Sequence, residues 1–332
     1  MKNILQRLIQ AFGPSGREEE IRSVLREELA GSGLELKTDV LGNLIATKAG
    51  RGGRLMIAAH MDEIGLLVTH IDDKGFLRFT PIGGQDPKNL LGSRVIFANG
   101  IMGTIGGEKI KDAKEFKLEK LYIDIGATAA AEAKELVAIG SMAVFVPHFT
   151  CQGNRIIGKS LDNRAGCALL LAVIRDLPPV DYQIDFVFSV QEEVGLRGAR
   201  TAAYHLEPHL ALAVDVTRTG DTPESGPMAV ELGGGPAIKV KDTSLISHPR
   251  VRGLLEKAAK ERDIPFQLEV LLRGGTDAGS IHLSRAGVPS GVISIPTRYV
   301  HSPAEMIDYR DLTRAATLLS AFMQQDQLFM AP

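Results

Sequence analysis

Tryptophan is absent from the 332 residues, and only 5 Tyr and 12 Phe supply aromatic rings. So few rings leave no stacking platform for nucleobases. A charge of one sign is missing too. The 38 Lys and Arg stand against 40 Asp and Glu, a formal net charge of −2 with no basic block. Electrostatics therefore gives no reason to expect nucleic acid or an anionic membrane as partner. No apolar run reaches the roughly 18 residues of a membrane-spanning helix. Cysteine occurs only at Cys151 and Cys167, which excludes a disulfide framework and points to a reducing, cytoplasmic setting. The first ten residues are amphipathic, interrupted by Arg7 and Gln10, and end at Gly13-Pro14-Ser15-Gly16. They read as a helix rather than an export signal.

What is present is an ordinary globular composition, 44% hydrophobic and 23% charged, with material for a sizeable core. At roughly 150 residues per domain the length suggests about two domains. The segment from Glu18 to Leu29 carries Ile21, Val24, Leu25 and Leu29 on one helical face. Strands are expected over Asp39–Thr47 and Arg54–Ala59. From about His70 to Thr150 the texture changes to short β-like runs separated by glycine-rich turns such as Gly83-Gly84 and Gly106-Gly107. From Asp162 onward helices and apolar strands alternate: Ala165–Asp176 then Ile184–Val190, Gly198–His205 then Leu210–Val214, Val251–Arg262 then Gln267–Leu271, Ala278–Arg285 then Gly291–Ile295, and a last helix over Leu312–Met323. The expected fold class is α/β: a mixed, largely parallel sheet flanked by helices, with a small β-rich domain inserted in it. The expected domains are residues 1–69 and 155–332 for the α/β unit and 70–154 for the insert.

Several apolar strands end in polar residues of one kind. The strand before His60 and Asp62, the one before Glu192 and Glu193, the one before Asp215 and the one leading to His301 all stop at His or a carboxylate. In open α/β sheets the carboxyl ends of the strands form the ligand crevice, so these tips converge, together with Asp162 at the start of the next helix. One such residue alone has a plain explanation: Asp162 as an N-cap, His60 as a loop residue, Glu192-Glu193 as a solvated pair. The coincidence of five tips does not. Crowded carboxylates disfavour each other's ionisation, and divalent cations offset that; carboxylate and imidazole suit zinc, cobalt or manganese. Two ions roughly 3.5–4 Å apart, bridged by one carboxylate, would use the whole set. Neighbours on an extended chain point to opposite sides, so of Glu192 and Glu193 one can bind metal while the other acts as general base. The same geometry speaks against a retaining glycosidase pair.

A different motif competes. Gly153-Asn154-Arg155-Ile156-Ile157-Gly158-Lys159-Ser160 fits the P-loop pattern of nucleotide-binding proteins. Its interior, Arg155-Ile156-Ile157, reads as a strand rather than a phosphate cradle.

His60-Met61-Asp62-Glu63-Ile64-Gly65, Ser160-Leu161-Asp162-Asn163-Arg164, Gln191-Glu192-Glu193-Val194-Gly195-Leu196-Arg197-Gly198, Gly274-Gly275-Thr276-Asp277-Ala278-Gly279 and Thr297-Arg298-Tyr299-Val300-His301-Ser302-Pro303 resemble, in order and spacing along essentially the whole chain, the tetrahedral metallo-aminopeptidases of the glutamyl aminopeptidase family. The resemblance implies a peptidase with two divalent metal ions per subunit, zinc or cobalt, with manganese as a third option. It implies that His60 and Asp215 hold one ion, Glu193 and His301 the other, and Asp162 bridges them. It makes Glu192 the general base, and Asp62 the carboxylate that orients the His60 ring. It implies that the insert is a dimerisation domain and that dimers assemble into a hollow tetrahedral dodecamer. Short peptides are the implied substrate. Gly275, Thr276 and Asp277 are candidates for the substrate pocket, although a turn with a helix cap explains them as well. The other readings are a glycan hydrolase on the same scaffold and a non-catalytic metal-binding assembly protein. His70, His148, His205, His209, His248 and His282 read as surface or packing residues, and Cys167 as core.

Overall fold

Apolar residues that alternate along a strand can face two different helical layers, and the central strands here do so. A computed structural model describes residues 1–109, 116–223, 225–326 and 328–329. Helices α1 (Lys2–Gln10) and α2 (Glu19–Leu29) precede strands β1 (Glu35–Thr38), β2 (Leu44–Lys48) and β3 (Arg54–His60). Six strands then form a closed antiparallel barrel: β4 (Gly65–Ile71), β5 (Leu77–Ile82), β6 (Arg94–Phe97), β7 (Met102–Gly107), β8 (Leu121–Asp124) and β9 (Met142–Phe145), with helix α3 (Ala130–Leu136) between the last two. The chain returns through β10 (Phe149–Gln152), β11 (Arg155–Gly158), α4 (Leu161–Arg175), β12 (Gln183–Ser189), α5 (Arg197–Leu206), β13 (Leu210–Arg218) and β14 (Ala237–Lys241). It closes with α6 (Pro249–Glu261), β15 (Gln267–Val270), α7 (Ala278–Ile281), β16 (Ser290–Arg298), β17 (Glu305–Asp308) and α8 (Tyr309–Met323).

The large sheet has 11 strands in the order β1-β2-β12-β3-β13-β16-β17-β11-β10, with β14 joined to β16 and β15 joined to β14. Strands β12, β3, β13 and β16 are mutually parallel; the flanking pairs on both sides are antiparallel. The α/β sheet with an inserted β domain is thus observed. The barrel strands run from Gly65 to Phe145, and β10 already pairs with β11 in the large sheet, so the barrel begins before the expected limit of 70 and ends before the expected limit of 154.

On β3, Leu55, Ile57 and Ala59 enter the core under α1, α2, α4, α6 and α8, whereas Met56 and Ala58 face the smaller layer of α5 and α7. Burial on both faces accounts for the uninterrupted apolar runs. The barrel has its own core of residues such as Leu66, Val68, Leu77, Val95, Ile123 and Phe145. Among the expected elements whose ends shift, three have a visible local cause. Strand β2 starts at Leu44 rather than Asp39, because the Asp39 carboxylate accepts hydrogen bonds from Gly42 N at 2.9 Å and Asn43 N at 3.0 Å and holds a turn. Strand β13 runs through Asp215 to Arg218, since it stays paired with β16 as far as Arg218 opposite Thr297. Helix α7 stops at Ile281, well short of Arg285, whose backbone is left-handed at φ 52°. No helix among the described residues is long and apolar enough to cross a membrane.

Beneath the strand tips lies a charged group with no access to water. Glu63 accepts from Lys159 Nζ and, at 3.2 Å, from Arg164 Nη2, and all three side chains are buried. Arg164 also donates to the Leu8 and Ala11 carbonyls at the end of α1. A buried pair that loses one partner leaves an uncompensated charge, which costs about 3–5 kcal/mol. Glu63→Ala is therefore expected to lower the unfolding midpoint in a denaturant or thermal scan markedly; a change within error would show that water reaches the two cations.

Candidate functional site

The parallel centre of the sheet delivers the site. His60 ends β3, Glu192 and Glu193 follow β12, Asp215 sits on β13, and His301 lies in the turn between β16 and β17. Asp162 comes from the irregular start of α4, where Asp162 and Asn163 depart from helical dihedrals. It does not cap the helix as expected. Asn163 takes that task, its Oδ1 accepting from Gly166 N at 3.0 Å, which leaves the Asp162 carboxylate free to face the two imidazoles.

Asp162 Oδ1 lies 3.0 Å from His60 Nε2, and Asp162 Oδ2 lies 3.2 Å from His301 Nε2. His60 Nε2 is 3.6 Å from Asp215 Oδ1 and 3.9 Å from Glu192 Oε2; His301 Nε2 is 3.1 Å from Glu193 Oε2. Two trios result, His60–Asp162–Asp215 and Asp162–Glu193–His301, each offering ligand atoms within 4.8 Å of one another. Asp162 belongs to both. The donors are imidazole nitrogen and carboxylate oxygen, a set that fits zinc, cobalt or manganese. Glu193 Oε1 is buried without a hydrogen-bond partner among the described residues, which is costly unless a cation or water meets it.

The electrostatics agree with a cation-binding cluster. Burial raises Glu192 well above the usual carboxylate range, and the charges of Asp215, Glu193 and Asp277 add to this while His60 opposes it. Glu193 and Asp215 are raised as well, burial being the largest cause for each. Burial also works against the charged imidazoles, yet Glu192, Asp162, Asp215 and Asp62 hold His60 well above its ordinary value. Glu193 and Asp162 likewise push His301 up to about 12. Protons thus gather where the excess of carboxylate calls for positive charge.

Supporting residues set the geometry. The Asp62 carboxylate accepts from Glu192 N at 3.0 Å, Glu193 N at 3.2 Å and Ser15 Oγ at 2.6 Å. Its oxygen is 3.5 Å from His60 Nδ1, farther than the backbone carbonyl of Asp62 itself at 3.2 Å. Its main contacts are therefore with the backbone of the two glutamates, and the ring expected to depend on the carboxylate meets the carbonyl more closely. Gly84 in the barrel accepts from His301 Nδ1 at 2.6 Å, which leaves Nε2 free as a ligand. Cys167 is buried, as expected, and its thiol donates to the His60 carbonyl at 3.2 Å. Burial pushes this thiol up to about 12, so it is inert.

Sequence reasoning missed Glu305. One of its oxygens accepts from Asp162 N at 2.9 Å and the other from His301 N at 2.8 Å, and the side chain is buried. A single carboxylate thus ties together the backbones of Asp162, which the two trios share, and of His301, which belongs to one of them. No local pattern marks it; only the pairing of β17 with β11 and β16 brings it there. Removing such outer partners typically costs 10–100-fold in metal affinity. Glu305→Ala is expected to weaken cation binding by about that factor in a calorimetric titration; unchanged affinity would show that the loops hold themselves.

Glu192 and Glu193 follow β12 rather than extend it. Gln191 is left-handed at φ 55°, and Gly195 N and Leu196 N turn back onto the Glu192 carbonyl at 2.9 Å. The opposite-sides expectation needs extended backbone, and this turn instead brings both carboxylates to one cavity. Still, they part company there, Glu192 towards His60 and Glu193 towards His301. The cavity is about 620 Å³, and its lining includes His60, Asp162, Asp215, His301 and Gly275. Thr276 and Asp277, expected beside Gly275, are buried behind it; Asp277 accepts from Ser189 Oγ. The P-loop pattern has no cradle: Arg155–Gly158 is strand β11, and Lys159 is buried against Glu63.

Residues 42–318 match the family described as M42 glutamyl aminopeptidase. A putative aminopeptidase of Acetivibrio thermocellus is 55% identical, over 96% of this chain and 97% of its own. Among solved structures, an aminopeptidase of the archaeon Desulfurococcus kamchatkensis superposes with a TM-score of 0.92 at 40% identity, covering 97% of this chain and 94% of that one. The TET1 peptidase of Pyrococcus horikoshii, described as able to assemble into a tetrahedron or a large octahedral shell, gives 0.87 at 35% identity over 97% and 98%.

Proposed function

The chain belongs to the M42 glutamyl aminopeptidase family and is a metal-dependent aminopeptidase, and from that premise we propose that it uses two divalent cations per subunit to release N-terminal residues from short peptides. The observation that carries the dinuclear reading is Asp162, whose two oxygens reach one imidazole each. His60 and Asp215 would hold one ion, Glu193 and His301 the other, with Asp162 between them. When bound, such a pair supplies Lewis acidity and makes water nucleophilic at neutral pH.

The chain's own residues do the rest. Glu192 belongs to neither trio but lines the same cavity, so its carboxylate is free to take the proton of the attacking water and hand it to the leaving amine. Asp62 positions this base through its backbone N–H. A free α-amino group would bind one of the two ions or a nearby carboxylate, which fits attack at the N-terminus and not inside a chain.

Zinc or cobalt is the proposed metal, with manganese as the third option. A panel of aminoacyl-p-nitroanilides tests the reading. Chelation with EDTA should abolish hydrolysis and zinc or cobalt should restore it, with two ions per subunit in metal analysis. Activity that survives exhaustive chelation would refute it. We place self-association in the barrel, as dimers and then a tetrahedral dodecamer, supported by the likeness to a peptidase that assembles into such shells; light scattering gives the mass. A cytoplasmic setting is supported by the two free cysteines.

A further inference from the structure

We propose that Arg218 and Arg273 bind a carboxylate of the substrate, so that the preferred peptides carry a second negative group close to the scissile bond. The proposal rests on the aminopeptidase reading of the site. Both arginines line the same cavity as Glu192, Glu193 and His301, and both are exposed. Among the described residues neither guanidinium has a hydrogen bond or ion pair. Other arginines of the chain are engaged: Arg298 is held by Asp221, and Arg155 and Arg310 by Asp308. Two free guanidinium groups at one cavity call for an anion.

The charge balance of the lining makes the same demand. Its carboxylates are Asp162, Glu192, Glu193 and Asp215. Two divalent cations would compensate these four, which leaves Arg218 and Arg273 as the remaining charge of the lining. The wall around them is uncharged, with Thr217, Thr243, Ser244 and Gly274. A guanidinium matches a carboxylate through two parallel N–H donors. The carboxylate has two possible sources. It is the side chain of an acidic N-terminal residue, or the C-terminus of a dipeptide.

Paired substrates separate these sources. Glu- and Gln-p-nitroanilide differ by one carboxylate in the side chain, and Leu-Gly and Leu-Gly-amide by one at the C-terminus. The measurement is kcat/KM for the metal-loaded enzyme and for Arg218→Gln, Arg273→Gln and the double variant. The wild-type enzyme is expected to favour the carboxylate member of at least one pair by about tenfold, each arginine contributing roughly a factor of three because it is exposed. The double variant should bring that ratio to about one, through KM more than kcat, and about 1 M salt should shrink it in the wild type. A ratio that collapses for either pair supports the proposal and names the source. Ratios near one in the wild type, or a preference that survives in the double variant, overturn it. Failure to cleave any of the four substrates would count against the peptidase reading instead. Titration with glutamate would then decide: binding lost in the double variant supports the arginine site, and no binding to the wild type, or binding that survives in the double variant, overturns it.

Discussion

Glu192→Gln is expected to lower kcat by about 10²–10⁴ while both cations stay bound, the range typical of losing a general base. The substitution keeps the volume of the side chain and one of its two oxygens, and removes the basic group. Glu192 Oε2 stands 3.9 Å from His60 Nε2, farther than either ligand oxygen on that ring, and it belongs to neither trio. Its placement comes from the Asp62 carboxylate on its backbone N–H, a contact that the variant retains. Binding and chemistry should therefore separate: metal content and KM near the wild-type values, turnover nearly gone. Glu193→Gln makes the contrast. That side chain faces His301 at 3.1 Å inside a trio, so its loss should appear first as a lost ion. If Glu192→Gln turns over normally, the base lies elsewhere and Asp277 becomes the next carboxylate to test. Burial, with Asp215 and Asp62 adding their charge, pushes Asp277 up to about 7, and it sits behind the same site.

The five ligands proposed here were legible because fold class and residue type act together. In a sheet with a parallel centre the strand tips share one edge, and His60, Glu193, Asp215 and His301 need only be near a tip to meet. The supporting contacts were not legible. Glu305 reaches Asp162 from 143 positions away, and Gly84 reaches His301 from the barrel across 217. Neither distance leaves a trace in periodicity or spacing. Errors arose where local backbone overrode the strand pattern. The left-handed Gln191 turns Glu192 and Glu193 out of an extended run, and the β13–β16 ladder carries the strand past Asp215. Thr276 and Asp277 sit in a glycine-rich stretch that fits a pocket as well as a buried turn, and only the packing of Asp277 on Ser189 decides between them.

Asp162→Ala is expected to remove the dinuclear site as a unit. Structural zinc in small domains is held by about 10–16 kcal/mol across four ligands, so one ligand carries on the order of 3 kcal/mol, roughly 10²-fold in affinity. An end ligand such as Asp215 belongs to one trio only. Asp162 belongs to both, so the loss counts twice, and the two imidazoles lose the carboxylate that keeps them 3.0 and 3.2 Å from its oxygens. Ion content after desalting should fall from two towards none, with activity down by about 10³-fold or more. Asp215→Ala should instead leave one ion in place. Folding is a separate matter: the Asp162 N–H donates to Glu305 through the backbone, and Asn163 caps the helix, so both ties survive the substitution. A variant that is folded by circular dichroism yet retains two tightly held ions would refute the bridge, because no other side chain among the described residues belongs to both trios.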